Sequence, residues 1–334
     1  MAVRELEPIT RPRSELPWDD DERTPVGYRR LLVPLDGSTR AAGALEIAVE
    51  LAEGSGAAIL LVHAVAPATV PGVDPRTALE IAKTDATAML ERGAQRGRAR
   101  GLHVDELLVT PVDGEPRDAA RAILTAIRHT HDVDLVVMTT HGRTGLRRAV
   151  FGSVADRVVR SSDVPVLLVP DAARCHGADP PCGSPDAGPA CVLVALDGSE
   201  TAASAVLPAA QLATATGAGV ELLRVVPNHG SGEGPSHSTA VTRPHVEDDL
   251  SRWADALLDA APHLPFVRTA VLAANERRVP AAIIAHAARN GAYAIALATH
   301  GRGGFTRLVL GSVTSGVVAA AETPVLVVPP VGRR

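Results

Sequence analysis

Apolar residues follow two periods along this chain. Short continuous runs rich in Val, Leu and Ile occur at RRLLVPL (29–35), AAILLVHAV (57–65), VDELLVT (104–110), DLVVMTT (134–140) and PVLLVP (165–170). Between them, apolar positions recur at helical spacing over 41–55, 74–101, 116–130 and 152–162. The first pattern predicts strands and the second predicts amphipathic helices. The helix over 74–101 ends at a glycine, and the helix over 116–130 carries Pro116 in its first turn, where a missing N–H is harmless. Strands that are apolar throughout, alternating with helices, indicate a parallel sheet covered on both faces.

The pattern then repeats. LVPLDGS at 32–38 returns as LVALDGS at 193–199, THGRTGLRRAVFGSV at 140–154 as THGRGGFTRLVLGSV at 299–313, and PVLLVP at 165–170 as PVLVVP at 324–329. The offset is 161 at the Asp and 159 at the Gly-Ser, and 17 of 32 positions are identical between 139–170 and 298–329. So long a period means two homologous domains and not a solenoid. The second copy has a shorter second helix, expected over 246–262. The expected class is α/β, with two tandem doubly wound domains, each holding a five-stranded parallel sheet. The expected division is a polar, disordered tail over 1–26, a first domain over 27–172, a Pro/Gly-rich linker over 173–189 and a second domain over 190–331. The polar stretch 228–238 reads as a flexible loop inside the second copy.

Composition narrows the function. The chain has 334 residues, a net charge of −5 and an aromatic fraction of only 2%. It therefore lacks the positive field and the stacking groups of a nucleic-acid binder. No apolar run reaches the ~18–20 residues of a membrane span. The first residues, MAVRELEPITRPR, carry charges and prolines where a signal peptide needs an apolar core, so a cytoplasmic location is expected. Cys175, Cys182 and Cys191 are odd in number and form no CxxC pair, so they are read as reduced thiols, with no metal site expected.

In open α/β sheets ligands bind beyond the carboxyl ends of the strands, near the switch in strand order. Three features of each copy fall there: an Asp ending the first strand (Asp36, Asp197), a glycine-rich loop after the fourth (141–153, 300–312), and a Gly-Ser opening the next helix (Gly152-Ser153, Gly311-Ser312). A helix N-terminus presents free N–H groups and partial positive charge to a phosphate, and glycines allow close approach. Ser153 and Ser312 add hydroxyls, and Arg143, Arg147, Arg148, Arg302 and Arg307 add cations. The strand-one Asp suits a ribose or a base. Each feature has a plainer reading as well. Asp-Gly-Ser is an ordinary turn into a helix, Gly-Ser an ordinary cap, and His141 and His300 ordinary loop residues.

Together these residues resemble the universal stress protein family, whose nucleotide-binding members carry Gly-x2-Gly-x9-Gly-(Ser/Thr) at this loop. The x9 spacing holds from Gly142 to Gly152-Ser153 and from Gly301 to Gly311-Ser312. The resemblance runs from about Tyr28 to Val331 and includes the Gly114-Glu115-Pro116 turn; the chain looks like a tandem, actinobacterial-like, ATP-binding member with the adenine nucleotide alpha hydrolase-like fold. It implies that Asp36 and the backbone of Ala64 and Met138 hold adenine and ribose, and that Gly142, Gly152, Ser153 and Val154 hold phosphates. The counterparts are Asp197, Val225, Leu297, Gly301, Gly311, Ser312 and Val313. The first motif glycine is replaced by Thr139 and Ala298, Arg224 stands where the first copy has His63, and Arg278-Val279-Pro280 replaces the Gly-x-Pro turn.

The implied function is an ATP-binding stress regulator, with Mg2+ left open as an accompanying ion, acting through nucleotide-dependent conformation or assembly. Two alternatives stand beside it: slow ATP hydrolysis or phosphotransfer, and a nucleotide-free scaffold. Neither loop holds a Gly-Lys-Ser/Thr sequence, a lysine or a carboxylate, so catalytic residues are not expected. The implied partners are the adenine nucleotide and the other half of the chain, paired through the last strands 165–169 and 324–328. A further homodimer is left open.

Overall fold

The computed structural model describes residues 27–65, 71–110, 118–140, 152–170, 190–227, 243–299 and 310–330. The first half runs β1 (Arg30–Pro34), α1 (Thr39–Ser55), β2 (Ala58–Ala64), α2 (Pro75–Arg98), β3 (Val104–Val109), α3 (Ala119–His129), β4 (Leu135–Thr139), α4 (Ser153–Ser161) and β5 (Val166–Val169). The second runs β6 (Cys191–Leu196), α5 (Glu200–Ala203), α6 (Val206–Thr216), β7 (Gly219–Pro227), α7 (Arg243–Ala260), β8 (Val267–Ala274), α8 (Val279–Arg289), β9 (Ala292–Ala298), α9 (Ser312–Ala320) and β10 (Val325–Val328). The expected tail, linker and 228–238 loop lie outside the described residues.

Helix ends follow local chemistry. α2 starts at Pro75 because the Asp74 side chain accepts from the N–H groups of Arg76 and Thr77, at 3.1 and 3.0 Å. α3 starts at Ala119, later than its apolar spacing suggests, because Asp118 caps it by accepting from the Arg121 N–H at 3.2 Å. The first helix of the second half is split into α5 and α6. Pro208, in the first turn of α6, has no N–H to continue the ladder back to Ser204, whereas α1 has Ile47 at the matching offset.

The strands form one ten-stranded sheet in the order β3-β2-β1-β4-β5-β10-β9-β6-β7-β8. Within each half every neighbouring pair is parallel. The doubly wound five-stranded layer read from the sequence is thus present twice. β5 and β10 run antiparallel, with Val325 opposite Leu168, Leu326 opposite Leu167 and Val327 opposite Val166. The carboxyl ends of the two strand sets therefore open at opposite edges of the sheet.

Side chains alternate across the pleat. Leu31 and Val33 enter one core with α1, α2 and α5–α7, while Leu32 enters the other with α3, α4, α8 and α9. On the first face α1 and α6 meet so closely that a Cβ on Gly54 would overlap the carbonyl of Ala215. Among the described residues no helix is long and apolar enough to cross a membrane.

The amino ends of the strands carry polar clusters that differ between halves. In the first, Arg30 on β1 pairs with Asp105 on β3 and, at 3.0 Å, with Asp132. In the second, the β-ladder registers put Cys191 at the place of Arg30, Glu221 at that of Leu60 and Arg268 at that of Asp105. The Glu221 carboxylate, whose side chain is 4% exposed, accepts from Arg268 at 2.9 Å and bonds His286 Nε2 at 2.8 Å. Burial alone raises the pKa of Glu221, but the bonds from His286 and Arg268 outweigh it and leave the group below its ordinary value. Burial, with the nearby Glu221 charge, pushes the Cys191 thiol up to about 11, so it is inert at neutral pH.

Two stability predictions follow from this packing. Gly→Ala inside a helix normally stabilises by about 0.5–1 kcal/mol, and Gly43→Ala, where a Cβ meets nothing within 4 Å, should do so in urea unfolding. Gly54→Ala should instead cost about 1–3 kcal/mol through overpacking; stabilisation by both changes would contradict the α1–α6 contact. Breaking the buried pair with Glu221→Gln should cost about 3–5 kcal/mol at pH 7. Because folding lowers the pKa of Glu221, its contribution is complete above the ordinary value of 4.5 and is lost as the pH falls from there through the folded value. The variant should therefore show a flatter loss of stability below that pH than the parent, and an unchanged acid limb would contradict the assignment.

Candidate functional site

The candidate residues gather where β1 and β4 lie side by side. From that point the chain leaves β1 for α1 on one face, while α4, which follows β4, lies on the other. A doubly wound sheet opens a crevice at such a switch. The second half repeats this with β6 and β9.

Asp36 lies half-buried two residues beyond β1, and its Oδ1 accepts from the Ser38 N–H at 2.9 Å. Ser38 in turn caps α1, its Oγ accepting from the Ala41 N–H at 3.2 Å. Asp197 repeats the turn, accepting from the Ser199 N–H at 2.9 Å and the Ser199 hydroxyl at 2.6 Å, and Ser199 Oγ accepts from the Ala202 N–H at 3.1 Å. Between each pair sits a glycine with positive φ, +81° at Gly37 and +83° at Gly198, a conformation other residues adopt at a cost. The plainer reading of Asp-Gly-Ser as a turn into a helix is therefore correct for this part. Each carboxylate lies just beyond the carboxyl end of its strand and holds the turn that starts the next helix.

At the other wall, Met138 and Leu297 are buried, Thr139 is half-buried and Ala298 is buried at the ends of β4 and β9. The Gly152 N–H donates to Thr140 O at 3.0 Å, and the Gly311 N–H donates to Thr299 O at 2.8 Å. These bonds fix where α4 and α9 begin. Gly152 and Gly311 are the N-cap residues and neither offers a side-chain cap, so among the described residues no capping side chain covers the N–H groups of the first turns that begin with Ser153-Val154 and Ser312-Val313. Ser153 and Ser312 are exposed, and Val154 and Val313 half-buried. Ala64, the last residue of β2, and Val225, near the end of β7, are both half-buried. Gly142, Gly301, His141, His300 and the loop residues Arg143, Arg147, Arg148, Arg302 and Arg307 lie outside the described residues, as do Gly114–Pro116, Cys175 and Cys182.

The two halves differ in what supports the site. His63 Nδ1, on β2, lies 2.6 Å from Leu35 O, which tethers the ring to the chain leaving the neighbouring β1. The matching Arg224 is buried, and its guanidinium packs so tightly on Gly198 that a Cβ there would collide with it. In the first half the atom nearest the equivalent Cβ position on Gly37 is Met89 Sδ, at 3.2 Å. In the second half, Thr314 donates to Ala298 O at 2.8 Å and ties α9 to β9, where the first half has Ala155. Met89 and Thr314 carry no motif signal, whereas Gly198 lies in the repeated Asp-Gly-Ser and Arg224 is marked as a charge in an apolar strand where the first copy has His63.

A model of the Universal stress protein family matches residues 27–170 and 191–329. A universal stress protein of Mycolicibacterium smegmatis is 28% identical over 307 residues, covering 90% of this chain and 97% of its own length. Universal stress protein Rv2005c of Mycobacterium tuberculosis is 29% identical over 214 residues, covering 61% of this chain and 64% of its own. Among solved structures, a universal stress protein from Archaeoglobus fulgidus matches with a TM-score of 0.61 at 18% identity, covering 91% of this chain and 98% of that one. A functionally unknown protein from Pseudomonas aeruginosa matches with a TM-score of 0.58 at 16% identity, covering 92% and 94%. At such identities the solved structures speak for the fold alone. The family match spans both halves and most of their length, and the chain belongs to the universal stress protein family.

Proposed function

We propose that each half binds one adenine nucleotide, ATP with or without Mg2+, in the crevice at its strand switch, and that the bound state is the signal. One observation carries this reading. In both halves a carboxylate held in a turn just after the first strand and a helix start after the fourth, with no capping side chain among the described residues, follow two neighbouring strands at their carboxyl ends. The carboxylate suits ribose hydroxyls, and the free N–H groups with their partial positive charge suit phosphates. Family membership supports the same reading.

Binding without turnover is the form of this function that the residues favour. The chain has one lysine, Lys83, and it lies on α2 paired with Glu80 at 2.8 Å, away from the helix starts. Asp156, one turn into α4, is engaged by Arg160 at 2.8 Å, and its place in the second half is taken by Ser315. Among the described residues, therefore, no carboxylate or lysine recurs beside both helix starts to activate water. Because the two crevices open at opposite sheet edges, each takes its own ligand.

The test is calorimetry of ATP with the full chain and with Asp36→Ala/Gly152→Val. Losing the charged hydrogen bonds of Asp36 should cost about 1.5–3 kcal/mol, and the valine side chain blocks the approach to the helix start. Two binding events should fall to one, with the second half unchanged. Unaltered stoichiometry and affinity in the double variant would overturn the site, and no binding to either protein would favour the scaffold.

A further inference from the structure

We propose that Thr314 is a positioning residue of the second site: its hydroxyl holds the start of α9 against the end of β9, and the hold of that half on nucleotide phosphates depends on this bond. This rests on the adenine-nucleotide reading above and concerns the same crevice.

Four other helical threonines bond within their own helix. Thr84, Thr87, Thr214 and Thr216 each donate to the carbonyl four residues back, at 3.0, 2.9, 2.8 and 2.9 Å, the local bond open to any threonine in a helix. Thr314, the third residue of α9 and 4% exposed, donates instead to Ala298 O on β9, sixteen residues earlier, at 2.8 Å.

The acceptor is placed by the strand pattern. The N–H groups of Ile295 and Thr299 donate toward β10, to Pro324 O and Val328 O at 2.9 Å each. Backbone groups alternate in direction along a strand, so the N–H and C=O of Ala298 face the β6 side. The printed pairing of β6 with β9 ends at Val194 opposite Ala296. The Ala298 carbonyl therefore lies beyond the last pair of that ladder, at the strand switch, and Thr314 supplies its donor. A second bond stands beside it, from the Gly311 N–H to Thr299 O at 2.8 Å. The start of α9 is thus tied to two successive residues at the end of β9. The backbone tie survives a change of side chain, whereas the other depends on residue 314 alone.

On the adenine-nucleotide reading, the nucleoside lies against the strand ends and the phosphates against the first turn of α9. One ligand reaches both, so its affinity depends on their separation being set before it arrives. Losing the Thr314 bond leaves Ala298 O without this donor and frees the helix start to shift. The phosphates should feel that change and the nucleoside should not.

The test titrates ATP and adenosine by calorimetry into the full chain with its first site disabled by Asp36→Ala/Gly152→Val, and into the same chain carrying Thr314→Val or Thr314→Ser as well. Valine keeps the branched shape and removes the donor, and serine keeps the donor. Thr314→Val should weaken ATP binding about tenfold and leave adenosine within about threefold, while Thr314→Ser should keep ATP within about threefold of its parent. If the valine variant does not fold, Thr314→Ala takes its place, since α4 buries Ala155 at the matching position. Unchanged ATP affinity, an equal loss for ATP and adenosine, or a serine variant as weak as the valine variant overturns the inference. Any of these with ATP still bound by the parent leaves the adenine-nucleotide reading standing, whereas no ATP binding by the parent removes both.

Discussion

The antiparallel ladder between β5 and β10 is the constraint on which the rest of the molecule depends. Each of these four-residue strands is buried along its whole length and is paired on both sides, so neither is a free edge. An exposed Val/Leu edge invites association with another chain, and here each half covers the other's. The antiparallel sense also turns one half over relative to the other. That sends the two crevices to opposite edges and brings α1 onto α6, where Gly54 and Ala215 touch through backbone.

Within this shared frame the halves have diverged most where polar groups meet. At the amino ends of the strands, an Arg–Asp–Asp cluster in one half is answered by a Glu–Arg–His cluster in the other, with acid and base exchanged at the third-strand position. Between α3 and α4, Arg157 pairs with Asp118 in the first half, whereas between α8 and α9 Pro280 packs on the bare Cα of Gly316 in the second. Each solution is satisfied within its own half. A buried charge moved alone from one half to the other would lose its partner, so the halves are not interchangeable.

The architecture was legible because its signals are local or repeated. Apolar runs separated by helical spacing fix the α/β class, and the near-constant offset between THGRTGLRRAVFGSV and THGRGGFTRLVLGSV fixes the duplication. The Asp36 and Asp197 turns were equally legible, since a carboxylate bonding an N–H two residues on needs only adjacent sequence. What stayed hidden depends on contacts distant in sequence: Met89 over Gly37, Ala215 against Gly54, Arg224 on Gly198. A partial signal existed for the last, because GVELLRVV places two charges in a strand otherwise buried on both faces. Such charges need partners, but the sequence does not say that one faces Arg268 and His286 and the other a turn glycine.

The two adenine-nucleotide sites we propose lie apart, one at each end of the strands of a single sheet. Mass spectrometry of the intact chain under non-denaturing conditions, with increasing ATP, tests this proposal most directly. The account predicts adducts of one and then two nucleotides on a single chain, saturating at two. Saturation at one nucleotide shared by the whole chain, or the absence of any adduct, would contradict it.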